Sequence, residues 1–243
     1  MMYEYVDAHI HLHGFEEKER EILLKNREFI FLAVANDVSS SFFNMKLSLL
    51  YENVIPAVGI HPWNIEKTKN EDMAKIENII KRTNIKVLGE IGIDKKFVPG
   101  TINKQREFFE RFLKLAKEYD LSVNLHTPDA WEEVFDILIK YDIKKAYFHW
   151  YTGPVSMLEE IQSNQYFVGI NPAIFLQKKH QEVLRYADLD NIITESDAPY
   201  KYKGIYLHPE KIEEVINYIA ERKKVDSKYL KIRLKENLSR FLS

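Results

Sequence analysis

Eight short apolar, β-branched runs recur along this chain, at residues 3–8, 29–35, 54–59, 86–91, 121–125, 145–148, 166–170 and 191–194. That cadence narrows the possible folds more than any other feature. Polar stretches with helical spacing separate the runs. In residues 102–119, Phe108, Phe109, Phe112, Leu113, Leu115 and Ala116 fall on one helical face. Strands alternating with helices read as β-α units of a parallel sheet. Eight units predict closure into an α/β fold, a single TIM-type (β/α)8 barrel domain over residues 1–243, close to the length of about 250 usual for such barrels. An open doubly wound sheet is the alternative. However, Asp7-Ala8-His9-Ile10-His11 stands where a glycine-rich phosphate turn would follow the first strand. Residues 208–242 read as one or two amphipathic helices.

Composition removes several classes of chemistry. Without cysteine there is no disulfide, thiolate ligand or cysteine nucleophile. A net charge of −2 supplies no general field for polyanions, so any nucleic-acid contact must be local. No basic stretch followed by an apolar run opens the sequence, and its apolar runs are too short to span a bilayer. The expectation is a cytoplasmic protein with no membrane association and no obligate protein partner.

The chemistry-bearing residues gather at the ends of the predicted strands. His9 and His11 follow the first, His61 the third, Glu90 ends the fourth, His126 the fifth and His149 the sixth, while Asp197 follows the eighth. In a barrel all these ends meet at one face, where active sites are built. Residues two apart in an extended segment point the same way, so His9 and His11 can converge on one ion. A carboxylate in the apolar segment Leu88-Gly89-Glu90-Ile91 is costly unless paired or metal-bound, and its two oxygens allow it to bridge ions. Asp197 can hold a metal and accept a proton from water. Asp7 reads either as packing beneath this site or as a cap. Four histidines with carboxylates suit Zn, Mn, Fe or Ni, and Mg less naturally. His61 reads as a substrate contact and His13 as lying on the loop beyond the ligand pair. His180, in a lysine-rich helix, reads as solvated, and His208 as a cap or pocket rim. Trp63, Trp150 and Tyr151 are candidates for lining a pocket.

In their order these motifs resemble the TatD-type deoxyribonuclease family of amidohydrolase-like metal-dependent hydrolases. The matching segments are Val6-Asp7-Ala8-His9-Ile10-His11, Gly59-Ile60-His61-Pro62, Gly89-Glu90-Ile91-Gly92-Ile93-Asp94, the His126 segment, His149-Trp150-Tyr151-Thr152-Gly153 and Glu195-Ser196-Asp197-Ala198-Pro199-Tyr200. Glu236-Asn237-Leu238-Ser239-Arg240-Phe241 is similar to the family's last helix. The resemblance implies two divalent metal ions, with His9, His11, Glu90 and Asp197 serving one and Glu90, His126 and His149 the other. It implies DNase or related phosphodiester hydrolysis. Three departures stand out: Thr127-Pro128 replaces Ser-Arg, Trp63 replaces a second histidine after His-Pro, and Lys201-Tyr202-Lys203-Gly204 replaces an arginine-rich loop. The missing arginines are the groups suited to bidentate phosphate contacts.

The leading expectation is therefore a metal-dependent hydrolase, most readily an exonuclease-like deoxyribonuclease. It would use Asp197 and Glu90 as catalytic groups and His61, Lys201 and Lys203 as contacts for a single-stranded DNA end. The alternative keeps the metals and changes the substrate to a small amide, lactone or phosphate ester. A binding protein on a retired barrel would show erosion of the six ligand candidates, and all six are present.

Overall fold

The computed structural model describes residues 3–243; Met1 and Met2 of the expected domain lie outside it. Eight parallel strands form one sheet in chain order: β1 (Tyr5–Ile10), β2 (Phe29–Ala33), β3 (Val54–Val58), β4 (Val87–Gly92), β5 (Ser122–His126), β6 (Ala146–Phe148), β7 (Phe167–Ile170) and β8 (Ile192–Thr194). The helices between them are α1 (Glu17–Lys25), α2 (Val38–Leu50), α3 (Asn70–Arg82), α4 (Ile102–Glu118), α5 (Trp131–Lys140), α6 (Leu158–Ser163) and α7 (Lys178–Tyr186). The last strand returns to the first. Thr194 Oγ1 donates to Val6 O at 2.7 Å, His11 N to Ala198 O at 2.8 Å, and Asp197 N to His9 O at 2.9 Å. The predicted TIM-type barrel is the observed fold.

Helix formation follows the apolar spacing. In α4, Phe108, Phe109, Phe112, Leu113, Leu115 and Ala116 are buried on the face turned to the sheet. The long C-terminal stretch divides into α8 (Ile212–Lys223) and α9 (Ser227–Leu242). Lys224 adopts a left-handed conformation at the break, and the Asp226 carboxylate caps α9 by accepting from Lys228 N and Tyr229 N.

Inside the barrel, Val6, Ala8, Leu32, Val34, Ala57, Val87, Tyr147, Phe167 and Ile193 form one apolar cluster with Leu238 and Phe241 of α9. The Ser122 hydroxyl, at the start of β5, donates to Phe241 O. Helix α9 therefore plugs the end of the barrel where the strands begin. The opposite end stays open for polar groups.

One element escaped the sequence reading. After Asp197 the chain forms a hairpin, β9 (Tyr200–Tyr202) and β10 (Ile205–Leu207), before entering the last helices. Gly204, with φ of 89°, sits in its turn. None of the helices among the described residues is long and apolar enough to cross a membrane.

Candidate metal centre

Pairing irregularities in two strands aim the central ligand candidates inward. They lie between Asp7 and Ile10 in β1 and between Leu88 and Ile91 in β4. Ala8 belongs to the inner cluster, yet the adjacent His9 also reaches the interior, where its Nδ1 meets Asn124 Oδ1 at 2.8 Å. Gly89 lies where a Cβ would come within 2.7 Å of Asn124 Cβ, and the adjacent Glu90 reaches His9 and His126 inside the barrel. Local disruption of the alternation thus directs two successive residues to one side.

His9, His11, Glu90 and Asp197 converge tightly. His9 Nε2 lies 3.3 Å from His11 Nε2, 3.3 Å from Glu90 Oε2 and 3.6 Å from Asp197 Oδ1. His11 Nε2 is 3.5 Å from Glu90 Oε2 and 3.4 Å from Asp197 Oδ1. Ligand bonds of ~2.0–2.2 Å in a tetrahedron place donors ~3.3–3.6 Å apart, so His9, His11 and Glu90 have the spacing of metal ligands, with Asp197 beside the two histidines. The buried Glu90 Oε2 has no hydrogen-bond partner, as an oxygen reserved for a cation would. The other Glu90 oxygen faces a second group. Oε1 lies 2.7 Å from His126 Nδ1, 3.3 Å from His61 Nε2 and 3.9 Å from His149 Nε2. Three groups here have donor atoms close enough to hold a divalent ion: His9, His11 and Glu90; His61, Glu90 and His126; and His9, His149 and Glu195.

Electrostatics reflect the same crowding. Burial alone would lower His9 and His126, but the Glu90 charge, joined by Asp197 at His9 and Asp94 at His126, raises each to about 9. Burial would raise Glu90, and the imidazoles of His61, His9 and His126 outweigh it, holding the carboxyl well below its usual range.

Three residues without an assigned role in the sequence reading hold the ligand candidates. The Asn124 amide donates to Ala8 O at 3.0 Å, which turns its oxygen toward His9 Nδ1. Asp94 Oδ2 faces His126 Nε2 at 2.9 Å and accepts from Trp63 Nε1 at 2.6 Å, while Oδ1 accepts from Lys96 N and Phe97 N. Glu195 accepts from Tyr147 Oη at 2.6 Å, Trp150 N at 2.8 Å and Asn171 Nδ2 at 3.1 Å, with His149 Nδ1 also at 3.1 Å. Burial opposes its ionisation, but His149, His9 and the Tyr147 hydroxyl keep Glu195 at about 2. The available signals were weak: Asn124 lies two residues before His126 on the same strand face, and Asp94 and Glu195 lie within motifs already singled out. Gly169 makes room for Glu195, because a Cβ there would collide with the Glu195 carboxylate and Tyr147 hydroxyl.

The centre opens into a cavity of about 670 Å³. His11, His61, Glu90, His126, His149 and Asp197 line it, with Trp63, Phe97, Trp150, Tyr200 and Tyr202 around them. Among the described residues, Lys96 is the one lysine or arginine in the lining. Lys201 and Lys203, expected to contact substrate, are outside the lining. Strand alternation points Tyr200 and Tyr202 one way and Lys201 the other, opposite Tyr206, while Lys203 sits over the Tyr202 ring at 5.4 Å. Tyr151 is likewise a core residue, its hydroxyl bonded to Pro154 O.

The remaining expectations divide. Asp7 is fully buried beneath the site, accepting from Ser196 N at 2.8 Å. His13 lines the cavity. His208 caps a short turn by accepting from Glu210 N and does not line the cavity. His180 is not solvated: it is buried with Val183 and Leu184, its Nδ1 donating to Tyr151 O and its Nε2 accepting from Asn171 N. Helical spacing puts it on the apolar face, whatever the charge of its neighbours.

An eight-stranded parallel barrel with a histidine-carboxylate cluster at its open mouth is the build of a metal-dependent hydrolase. The chain belongs to the TatD-related DNase family, whose model matches residues 6–243. It is 28% identical over 247 aligned positions to an uncharacterized metal-dependent hydrolase of Methanocaldococcus jannaschii, covering 98% of this chain and 96% of that one. It is 27% identical to the metal-dependent hydrolase YabD of Bacillus subtilis over 72% of each chain. Among solved structures, a TatD homologue from Escherichia coli, YjjV, superposes with a TM-score of 0.89 at 22% identity, over 100% of this chain and 99% of that one. A TatD-family hydrolase from Entamoeba histolytica gives 0.82 at 15% identity, again over 100% and 99%. The two structures share the fold.

Proposed function

We propose that this barrel is a two-metal phosphodiesterase that trims a single-stranded DNA end. The observation that carries the reading is the division of Glu90, whose Oε2 faces His9 and His11 while Oε1 faces His126 and His149. His9, His11, Glu90 and Asp197 would hold one ion, and Glu90, His126 and His149 the other. Divalent ions there would polarise the bond under attack and acidify the attacking water. Asp197, whose Oδ1 lies at the first cluster and whose carboxylate is open to the cavity, would accept the proton of that water through an oxygen not engaged by the ion. Lys96 meets the substrate's anionic charge, and Trp63, Phe97, Trp150, Tyr200 and Tyr202 offer faces for unstacked bases. A recessed cavity of this size accommodates a frayed end better than the flank of an intact duplex.

A second reading rests on the single lysine in the lining. A site with so little positive charge also fits a small ester, lactone or amide. The deciding experiment gives metal-loaded protein an end-labelled single-stranded oligonucleotide, bis-p-nitrophenyl phosphate and a panel of lactones and amides. Processive shortening of the oligonucleotide supports the nucleolytic reading. Turnover confined to uncharged substrates overturns it.

A further inference from the structure

His61 stands among the candidate ligands, its Nε2 3.3 Å from Glu90 Oε1 and 3.2 Å from His126 Nδ1. The hydrogen bonds behind the rings set it apart. A histidine that binds metal through one nitrogen donates its other N–H to an acceptor. His9, His126 and His149 each face such an acceptor, Asn124 Oδ1, Asp94 Oδ2 and Glu195 Oε2, while the buried His11 Nδ1 has no partner. His61 faces a donor. Its Nδ1 accepts from Trp63 N at 3.1 Å, because Pro62 has no N–H and Trp63 carries the first one available in the turn Pro62–Asn64. A backbone amide only donates, so Nδ1 must keep its lone pair. The neutral ring then carries its proton on Nε2, the nitrogen that faces the centre.

We infer that His61 is a fixed N–H donor rather than a metal ligand, placed to hold a substrate oxygen that gains negative charge during hydrolysis. A phosphoryl or carbonyl oxygen qualifies equally. The inference rests on the hydrolytic reading but not on nucleic acid as the substrate. A donor of this kind, set before the reaction begins, is worth about 10²–10³-fold in turnover.

Two variants separate donor from ligand. In His61→Asn the side-chain oxygen can still cap Trp63 N while the N–H toward the centre is lost. In His61→Gln the amide can restore a donor there. Metal content per chain, metal affinity against a competing chelator, inhibition by inorganic phosphate, and kcat and KM are compared, with thermal melts confirming the fold. His61→Asn should keep the parent's metal content and affinity, lose about 10²-fold in kcat and bind phosphate less well, with partial recovery in His61→Gln. A proton–nitrogen NMR spectrum of the zinc-loaded protein should show the His61 proton on Nε2. Loss of metal from His61→Asn, as from His126→Asn, would make His61 a ligand and overturn the inference. So would unchanged turnover and phosphate binding. If the parent cleaves no DNA, the nucleolytic reading fails, while the metal, phosphate and NMR measurements still decide the role of His61.

Discussion

Glu90 touches both halves of the centre, so its removal differs from that of any histidine. Glu90→Ala should lower metal content at both positions, whereas His149→Ala should mainly empty one; elemental analysis after gentle purification measures this, and full retention by Glu90→Ala would remove it from the ligand set. Asp197→Asn should keep the fold and lose roughly 10²-fold or more in rate, read from initial rates beside a thermal melt. The charge state gives a pH expectation as well. His9 and His126, raised to about 9, bind more protons when folded than unfolded, where imidazoles titrate near 6.5. Their contribution is complete below 6.5 and is lost as pH rises to about 9, so metal-free protein should melt at progressively lower temperature across that window. Bound metal displaces the same protons, so metal affinity should rise with pH. A metal-free melting temperature that climbs across the window would contradict the assignment.

At the scale of elements, the mouth is built by two short pieces of chain. The hairpin β9–β10 presents Tyr200 and Tyr202 to the cavity, and Trp150 packs on Tyr202 with ring centres 5.1 Å apart. The loop after β4 carries Lys96 and Phe97, and Asp94 holds that loop and His126 with its two oxygens. Lys96→Ala should raise KM for an anionic substrate about tenfold, the worth of one charge-assisted hydrogen bond, with little effect on an uncharged ester. The double variant Lys201→Ala, Lys203→Ala should change KM for neither. Steady-state kinetics on both substrates test the pair, and the opposite pattern would return substrate contact to the hairpin lysines. Gly169 of β7 supplies a further check, since Gly169→Ala should displace Glu195 and weaken metal binding through His149.

Across the whole molecule, the two ends of the barrel are chemically different. Phe241 fills the starting end against Tyr147 and Phe167, with ring centres 5.7 Å and 6.1 Å away. Phe241→Ala should cost about 3–5 kcal/mol, measured by denaturant unfolding, while metal content per folded chain stays unchanged. A loss of metal without a loss of stability would mean the two ends are coupled. The barrel was legible in the chain because alternation of strand and helix is local, written in the spacing of residues such as Phe108, Phe112 and Leu115. The ligand candidates were legible because a parallel barrel brings every strand end to one mouth, so position along the chain stands in for position in space. The roles of Asn124, Asp94 and Glu195 were not, because a polar residue acquires its hydrogen-bond partner only when distant strands meet. Lys201 and Lys203 lie close to Asp197 in sequence, yet the twofold alternation of a hairpin sets their direction. His180 has lysines beside it, and three-dimensional packing buried it all the same. Periodicity and strand-end chemistry are properties of the chain, whereas the partner of each polar atom belongs to the closed barrel, where residues more than a hundred apart, such as His9 and Asn124, come within 2.8 Å of each other.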